Sequence, residues 1–160
     1  MNDDIFYMEK ALQRAKIAYE NGEVPIGCVI VHNGNIIGRG ENRRKLEGNV
    51  LCHAEIIAIN EACKAIKDWR LEDCTVYVTV EPCPMCAGAI LQARVPRLVY
   101  GTPNPKAGCV GSLYNLLDDK RFNHTVEVKS GILKEECSEI MSSFFREFRM
   151  REKALASGNI

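Results

Sequence analysis

The chain has 160 residues, 46% of them apolar and 26% charged, with 21 basic side chains against 21 acidic ones. That is the size and balance of one soluble globular domain able to bury a full core, and it excludes disordered, collagen-like and disulfide-stapled classes. A formal net charge of zero excludes a molecule-wide basic field, so affinity for nucleic acid has to come from a local patch.

Taken in order, the N-terminal Met1-Asn2-Asp3-Asp4 is acidic and no apolar core follows it, so no signal peptide is expected. No apolar run is long enough to cross a bilayer, and a cytoplasmic protein is expected. Residues 4–20 have helical spacing through Ile5, Met8, Leu12, Ala15 and Tyr19. Asp3 or Asp4 suits the start of that helix and Gly22 the position past its end. Residues 24–31 and 36–39 are predicted as a hairpin closed by Asn33-Gly34. Residues 42–51 lack periodicity and are predicted as a loop.

A second helix is predicted from His53 to about Ile66, with Ile56, Ile59, Ala62, Cys63 and Ile66 on one face, and Asp68-Trp69-Arg70 breaks it. Residues 74–80 are a near-continuous β-favouring run, predicted as a central strand buried on both faces. Glu81-Pro82 ends the strand, and Pro84 suits the first turn of a helix reaching Ala93. A strand over 97–100, a loop over 101–112, a short helix over 113–117 and a strand over 126–129 follow. The last helix runs from about Lys134 past Arg149. Residues 1–153 form one predicted domain, and 154–160 a frayed tail. The pattern means an α/β domain with helices on both faces of a mixed sheet.

Eight cysteines are present. In a chain of this size without secretory features they read as metal, catalytic or core residues rather than as a disulfide framework. Cys28, Cys63, Cys74, Cys109 and Cys137 lie in apolar or mixed stretches and are expected as small buried hydrophobes. Cys83 and Cys86 form a Cys-x-x-Cys pair opening a helix, where the dipole and free N–H groups favour thiolate. His53 opens the other central helix. Two sulfurs and one nitrogen suit Zn²⁺, and three protein ligands leave one position for water, which zinc acidifies to a pKa of roughly 7. Glu55, two residues beyond His53, can face that water without binding the metal and can shuttle protons. A Cys-x-x-Cys alone is more often redox-active or structural, and Cys52 offers a fourth thiolate that would close a structural site.

His53-Ala54-Glu55 followed by Pro82-Cys83-Pro84-Met85-Cys86 matches the H-x-E…P-C-x-x-C pattern of zinc deaminases. Further pieces are Glu23-Val24-Pro25-Ile26-Gly27, Gly40-Glu41-Asn42-Arg43, Met85-Cys86-Ala87-Gly88, Gly111-Ser112-Leu113, Asn123-His124 and Phe144-Phe145. With these, the chain from about Met8 to Arg149 resembles the bacterial tRNA-specific adenosine deaminases of the cytidine deaminase-like superfamily. The resemblance implies a three-layer α/β/α fold with a five-stranded mixed sheet, a homodimer, and conversion of adenosine to inosine at the wobble position of a tRNA anticodon loop. His53, Cys83 and Cys86 then match the zinc ligands, and Glu55 the proton shuttle. Asn42 matches a base contact, and the backbone of Ala54 meets the base edge. An extruded adenine is required, because its C6 is unreachable in a stack.

On the RNA side, Phe144, Phe145 and Phe148 can stack on unpaired bases while Arg146 and Arg149 hold phosphates, or the three rings can be the core stripe of an amphipathic helix. Lys106, Lys120, Arg121 and His124 offer phosphate contacts or are ordinary surface. Two stretches depart from the family. Asn49-Val50-Leu51-Cys52 replaces the usual Asp-Pro-Thr-Ala and is expected to change the wall of the pocket, and no carboxylate stands near Pro103-Asn104, so Asn104 meets the ribose without charge. These departures keep open a deaminase of free bases, nucleosides or nucleotides, such as guanine or cytosine compounds. A non-catalytic zinc-stabilised binding domain is the third reading.

Overall fold

The computed structural model describes residues 3–158. Its elements are α1 (Asp3–Glu20), β1 (Gly27–His32), β2 (Asn35–Glu41), α2 (Ala54–Ile66), β3 (Cys74–Val80), α3 (Pro84–Gln92), β4 (Arg97–Thr102), β5 (Glu127–Ser130) and α4 (Lys134–Ala156). The five strands make one sheet in the order β2-β1-β3-β4-β5. β1 is antiparallel to both β2 and β3, whereas β3, β4 and β5 run parallel. The sheet is therefore mixed, with β3 at its centre, and all but one of the β3 residues are buried.

Alternation along the strands separates two cores. Cys28, Ile30, Val76, Val78, Leu98 and Tyr100 face α2 and α3 through Ala54, Ala58, Ala62, Ala87, Ile90 and Leu91. Val29, Val31, Tyr77 and Val99 face the other way, onto Met8, Ala11 and Leu12 of α1 and Cys137 of α4. This is the three-layer α/β/α arrangement that the resemblance implies.

The hairpin turn falls at Asn33-Gly34, with φ of 49° and 77°. Positive φ at both positions matches the right-handed strand twist. A bulge at Ile30/Val31 against β2 shifts the register. The first strand begins at Gly27 rather than at 24, because the backbone of 24–26 turns on itself, Ile26 N–H donating to Val24 O. α2 turns the expected Ile59, Ala62, Cys63 and Ile66 to the core, but its most deeply buried positions are alanines. Ala54, Ala58 and Ala62 are the buried apolar residues, and Ile56 stays half-exposed. Small residues win because α2 lies directly on β2. A Cβ on Gly40 would stand 2.1 Å from Ala54 O, and one on Gly38 2.3 Å from Ala58 O. This contact fixes where α2, and so His53, begins.

No helix forms over 113–117. Leu113 N–H donates to Gly108 O and Leu116 N–H to Cys109 O, so this backbone folds back on the preceding loop instead of bonding to itself. α4 continues past the expected break after Ala154 to Ala156, and residues 159–160 lie outside the described ones. Ile5 is exposed at 41%, and Cys63 is half-exposed rather than in the core. The other four cysteines expected there are buried, and all eight are free thiols.

Asp4 does not cap α1. Its oxygens take two bonds of 2.9 Å from Arg97, one of 3.0 Å from Lys129 and one of 2.8 Å from Tyr77 OH. It thus pins α1 to the start of β4 and to β5. The Arg97 guanidinium, against the opposing effect of burial, holds the Asp4 carboxyl well below the usual carboxylate range. A depressed carboxyl adds stability that is complete above its unfolded pKa of about 3.9 and is lost as pH falls below it. Asp4→Asn therefore lowers Tm at pH 7, and the deficit relative to the parent shrinks between pH 4 and pH 2. A deficit independent of pH in thermal melts would contradict the ion-pair role.

Candidate functional site

The site lies where α2 and α3 begin. His53 and Cys83 are the N-cap residues of these helices, both extended, with φ/ψ of −80/153° and −73/176°, and neither side chain caps its own helix. An N-cap side chain ordinarily turns back to a helix N–H. Here both are left free to meet across the gap. Pro84 occupies the first turn of α3, as expected, and places Cys86 one turn in. His53 Nδ1 stands 3.6 Å from Cys83 Sγ and 3.6 Å from Cys86 Sγ. All three donor atoms lie within 4.8 Å of one another, and among the described residues no other such group forms. Cys52 is not part of it, so the closed four-ligand arrangement is not what the fold builds.

The two thiols shift one another in opposite directions. The Cys86 thiol beside it brings Cys83 down to about 4 against burial, with His53 adding to the effect. Cys86 is correspondingly pushed up, by Cys83 first and by burial second. His53 is raised, chiefly by its contact with Cys83. Glu55 sits in the first turn of α2 with 4% exposure. Burial pushes its carboxyl up to about 7, so near neutrality it can both take and give a proton.

His53, Cys83 and Glu55 line a cavity of about 150 Å³ with Val24, Ile26, Asn42, Arg44, Ala54, Glu81, Asn104 and Ala107, and Cys86 is buried behind them. Asn42 is buried, its Nδ2 donating to Val24 O at 3.3 Å and its Oδ1 accepting from Arg44 N–H at 3.2 Å. The cavity shares Val24, Ile26 and Asn104 with a larger groove of about 650 Å³ running along α4. Lys106, Phe145 and Arg149 line that groove, and every charged side chain in its wall is a cation, Arg146 being the third. The fold thus brings Asn42, Ala54 and Asn104 to the metal pocket, and Lys106, Phe145 and Arg149 to the adjoining groove.

The three phenylalanines divide. Phe144 packs edge-on against Tyr19 at 5.7 Å, while Phe145 and Phe148 remain 39% and 45% exposed. None of the three rings joins the buried core, and Phe144 is half-buried. Arg121 is engaged by Asp119, and His124 Nε2 donates to Val95 O at 2.7 Å, so His124 acts as a brace. The divergent 49–52 stretch does not wall the pocket. Val50 and Leu51 are exposed at 65% and 53%, and Asn49 Oδ1 accepts Leu51 N–H at 2.9 Å, which makes the turn that leads into His53.

Sequence reasoning missed three residues. Arg44 lines the pocket mouth, where the aperiodic loop gave no signal. Glu23, 1% exposed, accepts from Lys45 N–H and Leu46 N–H at 3.1 and 2.8 Å and holds that loop. Glu81 closes the predicted strand and belongs to the Glu81-Pro82-Cys83 piece of the family resemblance, but neither assigns it a role.

Residues 1–149 match the MafB19-like deaminase family. The chain is 54% identical over 154 residues to the tRNA-specific adenosine deaminase of Bacillus subtilis (strain 168), spanning 96% of both. It is 48% identical over 153 residues to that of Streptococcus pyogenes serotype M1, spanning 96% of this chain and 90% of the relative. A structure solved in work on A-to-I editing at the wobble position of transfer RNA superposes with a TM-score of 0.81 at 44% identity, over 84% of this chain and 98% of the other.

The low Cys83 pKa has a direct readout. In metal-free protein at pH 6, iodoacetamide alkylates Cys83 ahead of the half-exposed Cys63, whose thiol is pushed up by burial. Loading a divalent ion protects Cys83. Labelling of Cys83 no faster than that of Cys63, or unaffected by metal, would contradict the cluster. With that donor set, the buried carboxylate and these relatives, the chain belongs to the MafB19-like deaminase family and, within it, to the tRNA-specific adenosine deaminases.

Proposed function

We propose that this chain is a zinc-dependent deaminase that converts adenosine to inosine at the wobble position of a tRNA anticodon loop. One observation carries the reading: a pocket of about 150 Å³ lined by His53, Cys83 and Glu55 adjoins a groove whose charged side chains are all cationic. A free-base deaminase accounts for the pocket but leaves the groove without an occupant. A non-catalytic zinc domain leaves the buried Glu55 without a purpose.

The donor set fits zinc. Tetrahedral bonds of about 2.3 Å to sulfur and about 2.0 Å to nitrogen require N···S edges of about 3.5 Å, and both observed edges are 3.6 Å. When bound, zinc supplies a water acidified to a pKa near 7. The chain's own residues do the rest. Asn42 and the Ala54 backbone hold the base edge. Glu55 takes one proton from the water and delivers it to adenine N1 as the oxygen adds at C6, then takes the remaining hydroxyl proton from that oxygen and delivers it to the departing amine. The C6–N bond then breaks, ammonia leaves and hypoxanthine remains. Asn104 meets the ribose. Phe145 stacks on an unpaired neighbouring base, and Lys106 and Arg149 neutralise phosphates.

The free thiols suit a reducing cytoplasm. We also infer a homodimer, from the family resemblance and from Leu113 and Tyr114, which stand 54% and 72% exposed.

Glu55→Gln is the most selective test. The variant keeps one zinc per chain and its fold, and loses about a thousandfold or more in turnover of an anticodon stem-loop RNA, the scale of a general acid–base group. Ammonia release measures it. Near-normal turnover would remove Glu55 from the chemistry, and turnover of free adenine or guanine in preference to the stem-loop would favour the free-base reading.

A further inference from the structure

Glu81 is 2% exposed and stands two residues before Cys83, between the metal-binding helix and the loop that carries Asn104 and Lys106. Its carboxylate is fully engaged by that loop. Oε1 accepts the Asn104 N–H at 3.0 Å and the Ser112 hydroxyl, and Oε2 accepts the Val110 and Ser112 N–H groups, both at 3.0 Å. Gly108 lies so close that a Cβ there would fall 2.4 Å from the carboxylate. The next peptide is held as well, Cys109 N–H donating to Pro82 O at 2.9 Å. Asn104 is oriented as a result. Its Oδ1 accepts Ala107 N–H at 3.2 Å and its carbonyl accepts Gly108 N–H at 2.8 Å, so the side chain offers the pocket its Nδ2 donor.

We propose that Glu81 is a positioning residue for substrate capture: a buried clasp that locks the substrate-facing 104–112 loop to the metal-bearing start of α3 and sets Asn104 against the sugar. The proposal rests on the deaminase reading for the identity of the substrate. The clasp itself rests only on the hydrogen bonds. A bonded carboxylate at this place does more than fill space, because it converges four donors from three residues onto one point. A glutamine keeps one acceptor oxygen and sets an NH₂ group against two of those donors, which costs about as much as leaving charged hydrogen bonds unmade.

Two measurements test this. In Glu81→Gln, amide hydrogen exchange of Asn104, Val110 and Ser112 speeds up about tenfold or more, while amides inside α3 keep their protection. Unchanged exchange in the loop overturns the clasp whatever the enzyme acts on. In steady-state kinetics on an anticodon stem-loop, Glu81→Gln raises KM about tenfold with kcat within about threefold and zinc still at one per chain. Loss of zinc in proportion to activity would instead place Glu81 in the metal site and overturn the proposal. The decisive comparison is a double-mutant cycle with Asn104→Ala. Acting through the loop, Glu81→Gln makes Asn104→Ala less costly than it is in the parent, whereas strictly additive losses refute the coupling. Ser112→Ala, which removes one bond and leaves the carboxylate in place, gives a smaller cycle of the same sign if the glutamine variant does not fold. Inactivity of the parent protein on the stem-loop would strike the deaminase reading, and the exchange measurement would still decide the clasp.

Discussion

Everything at the site depends on two helix N-termini meeting within one ion's reach. His53 and Cys83 can share a metal only because α2 and α3 start at the same edge of the sheet, on the same face. That in turn requires α2 to lie flat on β2, and the contact leaves room for nothing larger than hydrogen at Gly38 and Gly40. The sheet supplies the other half of the constraint. β3 is central and feeds α3 directly, so Cys83 emerges from the most buried strand in the molecule. Both N-caps are extended residues whose side chains do not cap, which turns the ordinary end of a helix into a ligand position.

Electrostatics follows from this placement. The Cys86 thiol and the His53 imidazole stabilise the Cys83 thiolate, while the Glu55 carboxyl is lifted toward neutrality by burial. Two acidic groups lining one pocket are thus tuned in opposite directions, one toward metal and one toward protons. Farther out, Lys106 and Arg149 place positive charge along one groove of a chain whose net charge is zero, beside Arg146, which is paired with Glu139 at 3.2 Å. Recognition of an anionic polymer here is a matter of local arrangement rather than of composition.

The helix and strand order, the Asn33-Gly34 turn and the grouping of His53, Cys83 and Cys86 were all legible in the residues, because each rests on short-range pattern. What was not legible depends on contacts across the chain. Ala54 and Ala58 are the deeply buried positions of α2, beside the partly buried Ile59 and Ile66, since the helix backbone lies against the β2 glycines. Residues 113–117 are held by loop carbonyls and so do not form a helix. Asp4 resembled a cap and is an ion-pair hub, its partners Arg97 and Lys129 lying far along the sequence. The approach loop 49–52, the least family-like stretch, sits outside the pocket. Glu81, unremarkable in the sequence, holds the loop opposite the metal.

The proposed deamination of a base in RNA requires a metal at His53, Cys83 and Cys86. The most direct measurement is a titration of zinc into metal-stripped protein, following inosine formation in an anticodon stem-loop by mass spectrometry. Activity is expected to rise in proportion to bound zinc and level at one ion per chain, with His53→Ala protein silent throughout. Inosine formed at full rate by the stripped protein, or zinc bound at one per chain with no inosine, would contradict this proposal.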